Sequence, residues 1–542
     1  MAVFPRFVLK LIHCVLYQLL PNSCYKAAKK VRQYGFLITN PSLKTPNQQP
    51  SFYPHVSKCS LQNRASQTLV CDLNGALLSS SNNYSFFPYF MLVAFEGGSL
   101  FRAVILLLSW PILCLLDWDA KFKAMIFISF CGLPTKNMAS VSSTVLPKFF
   151  LDNLNLHAFE VFQATGSRIV FTSVPRVMVE GFLRNYLNVN DVIGTELQTF
   201  DRYYTGLVSE NGLLVKHKAL IEYFGDKKPD IGIGSPKLHD HLFISLCKEA
   251  YVVSKEDKKG QPTPTSSVVS RQNYPKPLIF HDGRLAFLPT PFASVCTFLW
   301  IPFGVLLAIY RICIGSFLPY KMGLFLSHWS GLRITLKGYT EASTEGTQKR
   351  VLFVCSHRTL LDPVVLSASV GKPLVAATYS VSRFSEIISP IKTVRLTRDR
   401  EKDGAEMQKL LREGDLVVCP EGTTCREPYL LRFSPLFAEL SDEIVPVGVK
   451  TWVSMFYGTT ASGLKWLDPI MFLMNPRASY DMVVLPKLPK EMTCGGGGKS
   501  SHEVANYVQR QLGDVLGFEC TKLTRKDKYL MLAGNSGLVA PT

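Results

Sequence analysis

The sequence carries little charge for its length. Of its 542 residues, 18% are Asp, Glu, Lys or Arg, whereas soluble globular proteins carry about 25%. Apolar residues make up 47%, which excludes disordered and collagen-like chains, and no internal repeat occurs. At roughly 150 residues per domain, the length suggests more than one domain. Low charge together with high apolar content indicates contact with a membrane.

Acidic residues are absent from the first 71 positions, which contain only basic charges. No small-residue cleavage site is evident, so a secretory signal is not favoured. Residues 1–66 are therefore expected to be a basic leader and linker, either a mitochondrial targeting segment or an arm lying on anionic lipid. The net charge of the whole chain is +18, which suits anionic partners such as lipid headgroups, phosphorylated substrates, coenzyme A or nucleic acid.

The 14 cysteines lack the short paired spacings of a zinc site. Several of them stand within apolar runs, which favours small buried side chains in a reducing compartment over a disulfide framework. No metal site is expected from them.

Two segments have the hydrophobicity of membrane helices. The first, residues 86–116, is interrupted by two charges and two glycines, and the second, residues 292–310, has no charge over a length sufficient to span a bilayer. A buried or half-inserted helix is the alternative for each. We expect a membrane-associated insert over 85–134 and a membrane helix region over 291–325, which predicts an integral membrane protein.

The run VLFVCSHRTLLDP at 351–363 joins a buried-type strand to His357 and Asp362. Ends of buried strands are where α/β enzymes place their chemistry. A histidine acting as a general base needs an acceptor that fixes its tautomer, and a carboxylate one helical turn onward can supply it. Alone, this spacing is a weak signal.

Three further runs follow in order: TVRLTRDR at 393–400, LVVCPEGTTCREPYLLRF at 416–433 and IVPVGVK at 444–450. Arginine is a geometrically specific partner for phosphate. In the second of these runs, Gly422 can expose backbone N–H groups and Thr423 adds a hydroxyl, which together indicate an anion site.

These four runs resemble, in order, the four blocks of glycerolipid acyltransferases over about 330–480. The resemblance implies an α/β fold with a mixed sheet, His357 as base and Asp362 as its partner. It implies that glycerol 3-phosphate is contacted by Arg398, Glu421, Gly422 and Thr423. It also implies that Pro446 helps to shape the acyl site. Arg395 is the alternative to Arg398, and Arg358 and Thr359 stand at positions that the motif leaves free.

The resemblance implies direct acyl transfer. The base would take a proton from a glycerol hydroxyl as it attacks the thioester of acyl-coenzyme A. Acyl-coenzyme A would be a co-substrate, and no cofactor would be required, because both substrates react while bound together.

The N-terminal half shows a second constellation. Asp72 follows a strand-like run, Thr172 ends the next one, and Lys216, Lys218 and Asp240 come later. This order resembles the haloacid-dehalogenase phosphatase fold, which implies a nucleophilic Asp72, phosphate contacts from Thr172 and Lys218, and a magnesium contact from Asp240. Two departures from that family, Asn74 and Ser235, stand where aspartates are usual. They predict a retained fold without catalysis.

Taken together, the two halves resemble land-plant glycerol-3-phosphate acyltransferases. The expected organisation is a degenerate phosphatase-like domain over 67–253, a linker over 254–290 and an acyltransferase domain over 326–542. Alternatives are a lysophosphatidate acyltransferase and an inactive lipid-binding scaffold. A nucleic-acid binder is not favoured, because the chain has no basic motif with interleaved aromatic residues. The expected location is the endoplasmic reticulum membrane, with the mitochondrial membrane as the alternative.

Overall fold

The computed structural model describes residues 53–79, 86–210, 212–235, 238–253, 268–339, 350–379 and 386–535. Residues 1–52 of the predicted leader lie outside these ranges. The chain forms two compact units, Met1–Leu278 with Leu288–Val295, and Ile279–Phe287 with Cys296–Thr542. Within the expected linker over 254–290, the segment Ile279–Phe287 therefore belongs to the second unit.

A five-stranded parallel sheet forms the centre of the first unit, in the order β3-β2-β1-β6-β7. Its interior strands are apolar and almost wholly buried, as expected where helices cover both faces of a parallel sheet. The strands of this unit are β1 (Thr68–Asp72), β2 (Ser167–Pro175), β3 (Asp191–Thr195), β6 (Ile231–Gly234) and β7 (Glu249–Val252), with a separate antiparallel ribbon of β4 (Leu197–Phe200) and β5 (Tyr203–Val208).

The first-unit helices include those of the predicted apolar insert, which follow β1. Buried aromatic side chains such as Phe90 and Phe122 pack edge to face inside this insert, and Tyr89 of the insert stacks on Phe150. The helices are α1 (Phe87–Leu92), α2 (Leu100–Leu115), α3 (Trp118–Phe130), α4 (Thr135–Thr144), α5 (Leu146–Leu151), α6 (Leu156–Ala164), α7 (Arg176–Leu187), α8 (Lys216–Phe224) and α9 (Leu238–Ile244).

The second unit contains a mixed seven-stranded sheet in the order β11-β10-β12-β9-β14-β15-β8. Only the β14–β15 pair is antiparallel. Its strands are β8 (Leu332–Lys337), β9 (Leu352–Cys355), β10 (Val375–Thr378), β11 (Thr393–Arg395), β12 (Leu416–Val418), β14 (Ile444–Val453) and β15 (Ala478–Val484); β13 (Tyr429–Leu430) and β16 (Glu519–Cys520) form a short parallel pair.

The helices of this unit begin and end where their sequences provide caps. Asp399 accepts hydrogen bonds from the first turn of α13, and Ser500 and Glu503 form a capping box at the start of α16. Gly517 ends α16 in the left-handed conformation that favours glycine. These helices are α11 (Tyr320–Trp329), α12 (Asp362–Val370), α13 (Arg400–Glu413), α14 (Asp468–Leu473), α15 (Cys494–Gly497), α16 (Ser501–Leu516) and α17 (Arg525–Ala533).

Helix α10 (Pro291–Phe317) is, among the described residues, the one helix long and apolar enough to cross a membrane by length and composition. One side of it is anchored to protein. The Trp300 indole N–H donates to the carbonyl of Met474 over 2.9 Å, and Arg311 donates to the carbonyls of Leu473 and Asn475 over 2.8 Å each. Its other side is exposed and apolar.

Candidate active site

The candidate base lies just beyond the carboxyl end of β9, the central strand of the second sheet. All four residues of β9 are buried, and the strand pairs in parallel with β12 and β14. His357 follows it after one residue, at the carboxyl end of the parallel strands. Its Nδ1 lies 3.0 Å from an Oδ of Asp362, the first residue of α12, so the fold brings together the two side chains that the spacing singled out.

The Asp362 carboxylate is fully buried and held by several donors. It accepts hydrogen bonds from the backbone N–H of Arg358 over 2.6 Å and from the N–H and hydroxyl of Thr359 over 3.0 Å each. Thr359 is in turn hydrogen-bonded to the buried Tyr480 hydroxyl. A carboxylate fixed in this way orients the imidazole so that Nδ1 donates to it, which leaves Nε2 to accept a proton from a substrate.

Arg358 and Glu421 form an ion pair whose side chains are both fully buried, with 2.9 Å between nitrogen and oxygen. Arg358 also donates to the carbonyls of Cys425 and Tyr429, over 2.6 and 2.9 Å. At the two positions that the motif leaves free, Arg358 thus connects the first block to the third, and Thr359 holds Asp362.

Both oxygens of the Glu421 carboxylate accept hydrogen bonds from the protein. One accepts from the backbone N–H of His357 over 2.8 Å as well as from Arg358, and the other accepts from the N–H of Leu431 over 3.0 Å. The Cys425 N–H donates to the carbonyl of His357 over 2.8 Å. The carboxylate therefore fixes the backbone of the candidate base.

Two cysteines lie beside the base. Cys355 ends β9, and Cys419 follows β12 directly. Hydrogen bonding from Cys355 and the nearby His357 lower the pKa of the Cys419 thiol, although burial opposes them. Burial lowers the pKa of His357, but Cys419 and Asp362 raise it more, so it lies above its ordinary value. A base with a raised pKa takes a proton more strongly but is neutral only at higher pH.

A cavity of about 380 Å³ opens next to this pair, and Cys419 forms part of its wall. Its volume lies within the range of small-molecule sites. Apolar side chains form part of its wall, and the charged residues of the wall are Arg398, Arg400, Arg432, Arg525, Asp403 and Glu421. Gly422, in the turn after β12, also lines the cavity and has a φ of 65°, in the left-handed region that favours glycine.

Arg398 lines this cavity and Arg395 does not. Arg395 is paired with Glu386 at 2.9 Å. Arg398 has a φ of 72°, which is uncommon for a residue with a side chain. The buried Asp403 carboxylate maintains it by accepting from the N–H groups of Thr397 and Arg398, over 2.7 and 2.8 Å. The structure therefore places Arg398, the first of the two candidates, at the cavity.

Two other residues named by the resemblance lie away from the cavity wall. Thr423 is buried, and its hydroxyl is 3.3 Å from the ammonium of Lys528. Burial lowers the pKa of Lys528, which also donates to the carbonyl of Thr424 over 2.6 Å. Pro446 is buried in β14 opposite Val354 of β9. Both residues are therefore buried in the protein and do not line the cavity.

The first unit gathers the residues of the second constellation at the carboxyl end of its parallel sheet. Asp72 ends β1, Thr172 is buried in β2, and Asp240 lies in α9. The Lys216 ammonium lies 2.8 Å from an Oδ of Asp72 and also contacts Asp240, which accepts from the Ser235 hydroxyl. Burial raises the pKa of Asp72 to about 6, although Lys216 opposes the shift.

Lys216, not Lys218, is the lysine of this cluster. Lys218 lies two residues further along α8 and is exposed, so the assignment of a phosphate contact to Lys218 was wrong. Neighbours two apart on a helix point in different directions.

A magnesium ion, which the phosphatase fold implies, does not fit the residues present. The ammonium of Lys216 already contacts both carboxylates, and the usual further carboxylates are replaced by Asn74 and Ser235. In the described part of the chain, no three His, Cys, Asp or Glu side chains are grouped to hold a metal.

Comparison with known proteins agrees with this two-part arrangement. Residues 68–253 match the family model described as "Glycerol-3-phosphate acyltransferase RAM2-like, HAD-like domain", and residues 333–450 match the acyltransferase family. Glycerol-3-phosphate acyltransferase 1 of Arabidopsis thaliana is 53% identical over 99% of this chain and 100% of its own length. The chain belongs to the glycerol-3-phosphate acyltransferase family. Another member, glycerol-3-phosphate acyltransferase RAM2 of Petunia hybrida, is 49% identical over 86% of this chain and 97% of its own length.

Sequence reasoning missed two residues of this acyltransferase's site. Arg525 and Lys528 reach the site from α17, far from the four blocks. No local signal in the sequence marks these two α17 residues.

The geometry predicts a change in pH dependence for Asp362→Asn. The carboxylate stabilises the imidazolium, so its removal lowers the pKa of His357 and shifts the acidic limb of the kcat profile to lower pH by about one unit or more. The maximal kcat falls about tenfold or more, because an amide does not hold the imidazole in the same way. Acyl-transfer rates measured across pH check both effects.

Asp514→Asn, at an exposed position of α16, is the matched control and should leave the profile unchanged. An acidic limb at the same pH in Asp362→Asn and wild type would contradict the assigned contact.

Proposed function

We propose that this acyltransferase transfers a fatty acyl group from acyl-coenzyme A to glycerol 3-phosphate at a membrane and releases lysophosphatidic acid. The observation that carries the proposal is the His357–Asp362 pair, set beside an arginine-lined cavity in a member of this family. The names of the relatives support glycerol 3-phosphate as acceptor, and the cationic wall supports a phosphorylated one.

The proposed reaction is a direct displacement at the thioester. His357 Nε2 accepts the proton of a glycerol hydroxyl while the hydroxyl oxygen bonds to the carbonyl carbon. The carbon–sulfur bond then breaks, and the proton passes to the departing coenzyme A thiolate. Asp362 stabilises the intermediate imidazolium through Nδ1. The mechanism needs no cofactor, because the donor is already an activated thioester.

Replacing the base tests the mechanism and the acceptor together. His357→Ala should lower kcat with glycerol 3-phosphate by about 10²–10⁴-fold, the usual contribution of a general base. Purified protein is assayed with labelled acyl-coenzyme A, with glycerol 3-phosphate and lysophosphatidate offered in parallel. Wild type should acylate glycerol 3-phosphate preferentially.

The matched control is His502→Ala, at an exposed position of α16, which should retain wild-type turnover. Near-normal turnover by His357→Ala would remove His357 as base. A wild-type preference for lysophosphatidate would favour the alternative function, that of a lysophosphatidate acyltransferase. If the wild-type protein acylates neither acceptor, an inactive lipid-binding scaffold would be favoured.

Two exposed apolar faces support membrane association. On α2 the exposed side chains recur at intervals of four, three and four residues, and the same intervals recur on α10, so each set lies along one helix face. The two sets are Phe101, Ile105, Leu108 and Ile112, and Leu299, Phe303, Leu306 and Tyr310. Contiguous exposed apolar surface of this kind is typical of membrane-binding sites.

Charging both faces should release the protein from membranes. In the variant with Phe101→Glu, Leu108→Glu, Phe303→Glu and Leu306→Glu, most of the chain should move to the supernatant of a membrane wash, since all four side chains are more than 60% exposed. Wild type should stay in the pellet at high salt. The measurement is the pelleted fraction after ultracentrifugation.

Ile221→Glu, at an exposed apolar position of α8, is the control and should remain in the pellet. A quadruple variant that pellets as completely as wild type while remaining folded would show that these faces do not hold the membrane. The endoplasmic reticulum stays the predicted compartment, with the mitochondrial membrane as the alternative. Residues 1–52 of the leader lie outside the described residues.

The phosphatase-like half is proposed to be inactive, so the product keeps its phosphate. Asn74 gives no proton to a leaving alkoxide near neutral pH, and Lys216 lies against the carboxylate that would attack phosphorus.

Thin-layer chromatography of products from labelled glycerol 3-phosphate should therefore show lysophosphatidic acid and not monoacylglycerol. Asp72→Ala should leave the product unchanged. Asn74→Asp should restore a small part of the dephosphorylation, and Asn74→Asp with Ser235→Asp more. Monoacylglycerol as the main wild-type product, lost in Asp72→Ala, would contradict the proposal.

A further inference from the structure

Arg525 enters the acceptor cavity from a part of the chain outside the four blocks. It is the first residue of α17, and it lines the cavity together with Arg398, which comes from the loop after β11. The two arginines are separated by more than 120 residues of sequence, yet they form part of one wall.

The position of Arg525 is fixed by the rest of α17. Thr524 and Asp527 form a capping box at the start of the helix, with 2.7 Å between the Thr524 N–H and the carboxylate. The guanidinium of Arg525 lies over the buried ring of Tyr529, 4.9 Å from its centroid. On the same helix, Lys528 is buried against the third block. The helix therefore holds Arg525 in place instead of leaving it on a free tail.

The charges of the cavity wall do not cancel. Four arginines and two carboxylates line it, which leaves an excess of two positive charges. Asp403 binds the loop backbone at Arg398, and Glu421 binds Arg358. Arg398 lies close enough to Arg525 to lower the pKa of the Arg525 guanidinium, in addition to the effect of burial. Two like charges held together repel, and a bound dianion relieves that repulsion.

We infer that Arg525 and Arg398 clamp the phosphate of the acceptor between α17 and the loop after β11, and that Arg525 thereby selects a phosphorylated acceptor. The ligand class is a phosphate monoester, whose charge near −2 matches the excess on the wall. The inference rests on the proposed function for its choice of the acceptor rather than the 3′-phosphate of coenzyme A.

The kinetic test uses Arg525→Ala in the full-length protein. The KM for glycerol 3-phosphate should rise about tenfold or more, as expected for the loss of a charge-assisted hydrogen bond, while the KM for acyl-coenzyme A changes less than about twofold. Inorganic phosphate, used as a competitive inhibitor against the acceptor, should lose affinity in parallel. Arg525→Lys keeps the positive charge but lacks the paired N–H donors of the guanidinium, so its KM for glycerol 3-phosphate should lie between those of wild type and Arg525→Ala.

Lys526→Ala is the matched control, because Lys526 is the exposed neighbour in the same helical turn. It should leave both KM values at the wild-type level. Alanine at position 525 is a good helix former and leaves the capping box intact, so a folding defect is not expected. An unchanged acceptor KM in Arg525→Ala, or a rise confined to acyl-coenzyme A, would overturn the inference.

A second measurement does not depend on turnover. Wild-type protein is treated with phenylglyoxal, which modifies arginine, and the modified peptides are quantified by mass spectrometry. Glycerol 3-phosphate should protect Arg525 and Arg398, whereas glycerol should not. Protection in a protein that fails to acylate glycerol 3-phosphate would leave the clamp standing and reject the proposed function. Equal modification of Arg525 with and without glycerol 3-phosphate would reject the clamp, whatever the activity.

Discussion

The buried ion pair between Arg358 and Glu421 is the interaction on which the acyltransferase site depends. It ties the turn after β9 to the turn after β12, and the same carboxylate holds the backbone N–H of His357. Two charges removed from water are costly unless hydrogen bonds compensate them. Here the arginine also donates to two carbonyls, although its Nε has no hydrogen-bond partner among the described residues, and the carboxylate accepts from two backbone N–H groups. Removal of either partner would leave a buried charge next to the base.

A buried cation between acidic partners has opposite consequences in the two units. In the second unit the Arg358 guanidinium is paired with the buried Glu421 carboxylate, which also accepts from the backbone N–H of His357. In the first unit the Lys216 ammonium contacts Asp72 and Asp240 themselves. An ion pair therefore supports the framework of the site in the second unit, whereas in the first unit the ion pairs of Lys216 engage the candidate site carboxylates themselves.

The sequence predicted the fold class and the two-part arrangement, because buried strands and turn signals are local and the four blocks stand in order. It predicted that His357 and Asp362 meet, since a strand end and a helix start fix both. It did not separate Lys216 from Lys218, because residues two apart on a helix differ in direction and the facing side is set by packing. Arg525 was out of reach, because its place at the cavity arises from the docking of α17 and from no local pattern.

The backbone conformation at Arg398 lowers the stability of the fold, whereas the side chain of Arg398 lines the cavity. Its φ of 72° is a conformation that costs a residue with a side chain about 1 kcal/mol or more, and Asp403 holds it in place. Glycine adopts the same angle without that cost. Directed evolution that rewards only heat resistance would therefore enrich glycine at this position, and the more stable enzyme would have lost a guanidinium from the lining of the cavity.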